Sequence, residues 1–142
     1  GAAAVLLASA QANTDYGLTP LARFVSFSVA GVPPEVMGIG PVAAIPKALR
    51  QAGLTADQLD WIELNEAFAA QALAVIGDSK LDTSKVNPLG GAIALGHPLG
   101  STGRRLVNTV LYDFRRRKKK CGLATACSGG GQGIAMVVES MS

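Results

Sequence analysis

A single histidine, His97, stands between a glycine and a proline in Gly96-His97-Pro98, and Cys127 further on opens the run Cys127-Ser128-Gly129-Gly130-Gly131. Imidazole titrates near neutrality and a thiol roughly two units higher, so the two side chains can pass protons at physiological pH without extreme tuning. Their chemistry is that of carbon and sulfur: an imidazole relieves a thiol of its proton, or a thiol itself serves as acid and base. An enzyme is the first expectation. The setting of each residue adds to it. Pro98 biases His97 away from helical geometry and Gly96 frees the chain before it, so the imidazole is held in a shaped loop at a helix entrance. The adjoining Gly100-Ser101-Thr102-Gly103 brings amides that can face an anion or a carbonyl oxygen. Beside the thiol, backbone N–H groups of residues without Cβ can converge on a developing oxyanion, although a plain turn between strands uses the same residues.

Asn65, in Leu64-Asn65-Glu66-Ala67-Phe68, lies at a junction of strand and helix. Capping the helix is its ordinary use, and that use is compatible with a place in a site. Glu66 reads as a charge at the helix start or as a hydrogen-bond partner for the loops, ahead of a role as proton carrier.

The elements that must position these residues follow from periodicity and punctuation. Residues 1–9 read as a buried strand, followed by a short helical segment and a turn near Asp15-Tyr16-Gly17. A second strand spans 21–32 and stops at Pro33-Pro34. Val42, Ile45, Ala48, Leu49 and Ala52 recur at helical spacing, so a helix runs over 41–52 and ends at Gly53. A short strand over 59–64 delivers Asn65-Glu66 to its C-terminal end, a helical pattern takes up 67–76, and 78–85 is a polar connection. A long helix covers 101–117. Strands over 123–127 and 133–139 flank the glycine run as a hairpin. The chain reads as an α/β domain, a mixed sheet layered with helices, whose functional groups gather at strand ends.

Composition agrees with one folded domain: 142 residues, 49% hydrophobic, 16% charged, with seventeen glycines. No apolar stretch approaches the ~20 residues of a spanning helix, so no membrane span is expected. The opening residues lack the charged start of a signal peptide, and a chain that begins inside an apolar run reads as a piece of something longer. Cys121 and Cys127 bracket a single strand, which separates them by roughly 20 Å, whereas a disulfide needs about 7 Å or less. Free thiols imply a reducing compartment. One histidine and two cysteines offer no zinc-ligand spacing. Six of the thirteen basic residues form one run, Arg115 to Lys120; it reads as a solvated helix end, with contact to an anionic ligand as the lesser reading and no nucleic-acid module in sight.

Three familiar motifs fail on context. Gly38-Ile39-Gly40-Pro41-Val42-Ala43 matches a dinucleotide fingerprint, but Pro41 removes an amide donor and Pro33-Pro34 separates the loop from its feeding strand, so a tight turn before a Pro-started helix is the better reading. Gly129 to Gly133 lacks the Gly-Lys-Ser/Thr of a phosphate loop. No G-x-S-x-G elbow exists for a Ser-His-Asp hydrolase.

Taken together, Gly38-Ile39-Gly40-Pro41, Asn65-Glu66-Ala67-Phe68, Gly90-Gly91-Ala92-Ile93-Ala94-Leu95-Gly96-His97-Pro98 with Gly100 and Gly103, and Cys127 with Gly129-Gly130-Gly131 and Gly133 resemble the thiolase family in its own order. The resemblance covers nearly the whole of residues 1–142 and implies the C-terminal half of such an enzyme, one of two similar α/β/α halves, with the nucleophilic cysteine on the other half. It implies thiolytic cleavage of 3-ketoacyl-CoA, or the reverse Claisen condensation of acetyl-CoA, through an acyl-cysteine. His97 would activate the nucleophile and, with a water held by Asn65, stabilise the enolate or oxyanion. Cys127 would be the second acid and base, and the Gly129 amide would join a second oxyanion hole. Coenzyme A would enter as substrate, with no metal or redox cofactor. The implied partners are acyl-CoA, coenzyme A and the N-terminal thiolase half, within a homo-oligomer. The implied compartment is the cytoplasm in a bacterium and the mitochondrial or peroxisomal matrix in a eukaryote. Chain-length preference and the degradative or biosynthetic direction stay open. Without the nucleophile the 142-residue chain alone is expected to be inactive. β-Ketoacyl synthases resemble the same fold but pair a cysteine with two histidines, against one here. The non-enzymatic alternative is a stand-alone acyl-CoA or nucleotide-binding module.

Overall fold

The computed structural model describes residues 1–141. Its centre is the hairpin of β3 (Cys121–Ser128) and β4 (Gln132–Ser140), paired antiparallel from Cys121↔Glu139 to Ser128↔Gln132. β1 (Ala22–Gly31) joins β4 antiparallel, with a bulge between Phe24 and Ser26, and β2 (Trp61–Leu64) joins β3 in parallel, giving the order β1-β4-β3-β2. All four residues of β2 are buried, as expected of a parallel strand covered on both faces.

Helices α1 (Ala10–Asp15), α2 (Gly40–Ala52), α3 (Ala69–Asp78), α4 (Ala92–Leu95) and α5 (Thr102–Arg117) make up the rest, with short 3₁₀ turns between. α2 buries Ala44, Ile45, Ala48 and Leu49 and ends at Gly53 in the left-handed region, where the amides of Gly53 and Leu54 return to the carbonyls of Arg50 and Leu49. That is the stop expected from the sequence. One face of the sheet carries a core in which Ile45 and Leu49 meet Ile62, Leu64, Val75, Leu123 and Val137. On the other face Trp61, Val110, Phe114 and Val138 form a smaller core under α5. The result is three layers, α/β/α: the patterning gives the mixed sheet covered by helices, and the resemblance implies the layering.

α5 approaches β3 closely because Gly122 has no side chain: a Cβ there would collide with Val110 Cγ1 and lie 2.8 Å from Phe114 Cζ. A second close approach joins α2 to the hairpin, where a Cβ on Gly133 would fall on the Gly40 backbone and one on Gly40 would lie 2.6 Å from the Gly133 amide. In the Gly38-Ile39-Gly40 motif Gly40 serves this backbone contact and Gly38 makes room for the Gln71 side chain, consistent with the tight-turn reading.

Residues 1–9 are the clear departure. They form no strand, and Leu6 and Leu7 are exposed. The outer edge of β2 is already taken: Val86 bridges Ile62, and the Asn87 amide donates to the Ile62 carbonyl at 2.8 Å. The segment lies instead across α5, where Asn108 Nδ2 donates to the Ala4 carbonyl at 3.2 Å. An apolar run had signalled burial, but a strand also needs a free edge to pair with. The other strands and helices for which limits were expected start and end within two residues of them, and the four-residue α4 was not expected.

Overpacking sets the first prediction. Gly122→Ala should lower unfolding free energy by about 1–3 kcal/mol, and Gly133→Ala by more, because its new methyl meets backbone rather than a side chain that can turn away. Urea denaturation of both variants checks the order; a Gly133→Ala chain as stable as the parent would contradict the α2–hairpin contact.

Candidate active site

The parallel pair β2 and β3 sends both strands in one direction, so the residues after Leu64 and those at the end of β3 emerge at the same edge of the sheet. The Asn65 amide extends the ladder, donating to the Thr125 carbonyl at 2.9 Å. Asn65 and Cys127 are thus brought to neighbouring strand ends. The Asn65 side chain is 1% exposed, and its Oδ1 has no hydrogen-bond partner among the described residues. It does not cap the helix, since α3 begins only at Ala69, behind Phe68, with no side-chain cap. The chain runs extended past Asn65 before it turns, which frees the amide for another use.

Glu66 does what its second reading proposed. Its Oε1 accepts from Asn87 Nδ2 at 2.9 Å and its Oε2 from the Ile93 amide at 3.0 Å, so one carboxylate ties the end of β2 to the segment that carries His97. Gly91 leaves room for that carboxylate, because a Cβ there would displace it from its hydrogen bonds. Asn87 went unnoticed in the sequence. Its amide group imitates a strand, accepting from the Leu64 amide at 2.9 Å and donating to the Leu64 carbonyl at 2.8 Å. It holds φ +45, a conformation Asn tolerates better than most residues. The Asn87-Pro88 pair before two glycines reads only as a turn, and nothing local reports the long-range bonds.

α4 ends where the Gly96 amide reaches the Ala92 carbonyl at 2.8 Å, with Gly96 at φ +92, and His97 follows as an exposed residue. Its Nδ1 lies 2.7 Å from Thr102 Oγ1, which is 3.0 Å from the Pro98 carbonyl. The amides of Ser101 and Thr102, expected to be open to a ligand, both donate to that same carbonyl at 2.9 Å. They are spent on closing the turn.

Cys127 sits near the end of β3 opposite Gly133, half-buried, and both cysteines are free thiols. Burial pushes the Cys127 thiol up, with its own backbone hydrogen bond opposing. At neutral pH it is therefore a protonated acid rather than a standing thiolate, which suits proton delivery better than nucleophilic attack. Gly130 and Gly131 turn the hairpin at φ +80 and +87, and Gly131 also packs its Cα against the Val32 carbonyl. Gly129 is exposed and a Cβ there would meet open space. No hydrogen bond joins His97 to Cys127 or to Asn65 among the described residues, so the histidine and thiol are separate groups, not a dyad.

Beneath the site lies a buried charge that the sequence analysis missed. Glu63 Oε1 accepts from Trp61 Nε1 at 2.9 Å and its Oε2 pairs with Arg105 Nη1 at 3.2 Å, joining β2 to α5. Burial raises the Glu63 carboxyl from 4.5 to about 7, against the Trp61 bond and the Arg105 charge. The basic run behaves as a helix end: Arg117 pairs with Asp113 at 3.5 Å and lies over Trp61 at 5.3 Å, and Lys120 pairs with Glu139 at 3.6 Å. Among the described residues no cluster of His, Cys, Asp and Glu could hold a metal ion, and no helix is long and apolar enough to cross a membrane.

Fold and site together define a layered α/β domain that carries a buried asparagine and a half-buried thiol at the C-terminal ends of a parallel strand pair. Comparison with known proteins agrees. The model of the thiolase C-terminal domain matches residues 18–140. The chain is 54% identical over 139 residues to a 3-ketoacyl-CoA thiolase of Bacillus subtilis, covering 98% of this chain and 36% of that one. It is 54% identical over 142 residues to an acetyl-CoA acetyltransferase of Escherichia coli, covering 100% and 36%. The crystal structure of human mitochondrial 3-ketoacyl-CoA thiolase in complex with CoA superposes with a TM-score of 0.93 at 50% identity, covering 95% of this chain and 34% of that one. The chain belongs to the thiolase family. It spans little more than a third of the length of these relatives.

Glu63 sets a pH prediction. Between about pH 4.5 and 7 the native state holds a proton that the unfolded chain has released, so stability falls as pH rises through that window. The loss is about 3 kcal/mol for a shift of this size. Glu63→Gln removes the titration, and urea unfolding at pH 5 and pH 7.5 should show a smaller pH difference in the variant than in the parent.

Proposed function

We propose that residues 1–142 form the C-terminal catalytic portion of a thiolase, which moves acyl groups between coenzyme A thioesters. The observation that carries this reading is that Asn65 and a thiol kept protonated by burial share one end of the β2–β3 pair, while Glu66, next to Asn65, is bonded to the Ile93 amide four residues before His97. The nucleophilic cysteine belongs to an N-terminal portion of similar fold. Support for that partner comes from the sheet face beside α5, where Phe27 and Val29 of β1 are exposed, and from the greater length of the relatives.

In the degradative direction His97 takes the proton of the partner's cysteine, whose sulfur attacks the 3-keto carbon. The bond between C2 and C3 breaks, leaving an acyl-cysteine and the enolate of acetyl-CoA. Cys127 gives its proton to C2, and acetyl-CoA leaves. Coenzyme A then attacks the acyl-cysteine, its thiol proton passing to the Cys127 thiolate; the bond between acyl carbon and cysteine sulfur breaks, His97 returns its proton to that sulfur, and acyl-CoA departs. Condensation runs these steps backwards, with Cys127 removing the α-proton. Asn65 Oδ1, buried and unpartnered, suits a water that donates to the thioester oxygen, and the Gly129 amide, on a turn open to solvent, suits a second oxyanion. Both the free thiols and the names of the relatives support a reducing compartment, the cytoplasm of a bacterium or an organelle matrix in a eukaryote. The homo-oligomer rests on family resemblance.

The purified 142-residue chain should give no thiolysis of acetoacetyl-CoA. Joined to the N-terminal portion of the Bacillus subtilis relative it should turn over, and Cys127→Ala or His97→Ala should each lower kcat by about a hundredfold or more. Turnover by the chain alone would overturn the proposed division of the site. Tight acyl-CoA binding with no turnover in the joined enzyme would favour a binding module.

A further inference from the structure

We propose that Thr102 is a positioning residue that fixes His97 in the tautomer bearing its proton on Nδ1, so that Nε2 is the basic nitrogen. The inference rests on the reading of His97 as a base and adds which atom does the work and what holds it so. Thr102 is 3% exposed, so its hydroxyl must be satisfied inside the protein. It has one proton to give and two protein partners: the Pro98 carbonyl at 3.0 Å and His97 Nδ1 at 2.7 Å. A carbonyl oxygen can only accept. With the hydroxyl proton on Pro98 O, the oxygen's lone pair faces the imidazole and His97 must donate from Nδ1.

The opposite arrangement, Thr102 donating to Nδ1, works against a base. The neutral ring would then carry its proton on Nε2, and uptake of a second proton at Nδ1 would require the hydroxyl to swing round inside a closed turn. In the proposed arrangement the Nδ1–H···Oγ1 and Oγ1–H···O bonds are identical in the imidazole and the imidazolium. Proton uptake at Nε2 then needs no rearrangement, which is the condition for a pre-organised base. The turn is built to hold this relay. The amides of Ser101 and Thr102 converge on the same Pro98 carbonyl, fixing the acceptor, and Thr102 is the first residue of α5, so its backbone moves with a long helix.

His97 is the only histidine in the chain, so its two nitrogens can be observed without assignment by mutation. In the ¹⁵N-histidine-labelled 142-residue chain, at a pH where the ring is neutral, long-range ¹H–¹⁵N correlation should show Nδ1 protonated and Nε2 bare. Thr102→Ser should keep that pattern and Thr102→Val should lose it, with the Nε2–H form rising to the majority. A parent chain already in the Nε2–H form, or a Thr102→Val chain unchanged, overturns the inference whatever the enzyme does. In the enzyme joined to the N-terminal portion, Thr102→Val should lower kcat by about tenfold to a hundredfold with KM within about twofold, and Thr102→Ser should restore it. If the tautomer shifts while His97→Ala retains full activity, the reading of His97 as base falls instead. If the tautomer shifts and His97→Ala is inactive but Thr102→Val is not slowed, Thr102 has no positioning role.

Discussion

One carboxylate holds the two parts of the site together. Asn65 belongs to a strand end and His97 to a loop after a four-residue helix, and nothing in the sheet itself relates them. Glu66 does so by accepting from Asn87 on one oxygen and from the Ile93 amide on the other. Asn87 in turn is locked to both backbone groups of Leu64. The loop is thereby registered against β2 by charge-assisted and backbone-like bonds rather than by apolar packing, which is directionless and would let it slide. Leu95 and Leu99, on either side of His97, are exposed. The loop takes its placement from Glu66, and the imidazole within it is held by Thr102.

The second constraint is the charge buried between β2 and α5. Glu63 costs stability near neutrality, and a leucine at that position would pack without such a penalty. What it does is give α5 one angular position: Arg105 must face Glu63, Arg117 must lie over Trp61, and the helix cannot rotate without breaking both. Since Thr102 begins that helix, its rotation sets where the hydroxyl meets His97. Burial acts on the thiol in the same spirit, holding Cys127 protonated on a rigid strand.

Much of this was legible in the chain. The two strands of the hairpin, the stop of α2 at Gly53 and the free cysteines follow from alternation, a left-handed glycine and strand geometry. His97, Cys127 and Asn65 stand out as candidates because their neighbours, Gly-His-Pro, a glycine run and a strand-to-helix junction, carry local signals. Asn87, Glu63 and the hydroxyl of Thr102 do not, because their partners lie on other segments or in a turn whose closure no residue type announces. The strand expected over residues 1–9 failed for a related reason: hydropathy reports that a segment is apolar, not which edge is vacant.

The pairing of β1 with β4 has a further consequence. It joins residues as distant as Ala22 and Ser140, with Arg23 bonded to Glu139 across it, whereas α5, β3 and β4 are neighbours in sequence, separated by three residues on one side and three on the other. Closing so long a loop costs more chain entropy than forming the hairpin, and it is rewarded only once β4 exists as an edge. Loop-closure entropy therefore favours the central hairpin over its outer partner. α2 packs on both β1 and β4 and seats Gly40 against Gly133, so the pairing that costs most to close is also the one that completes the backing of the thiol's hairpin.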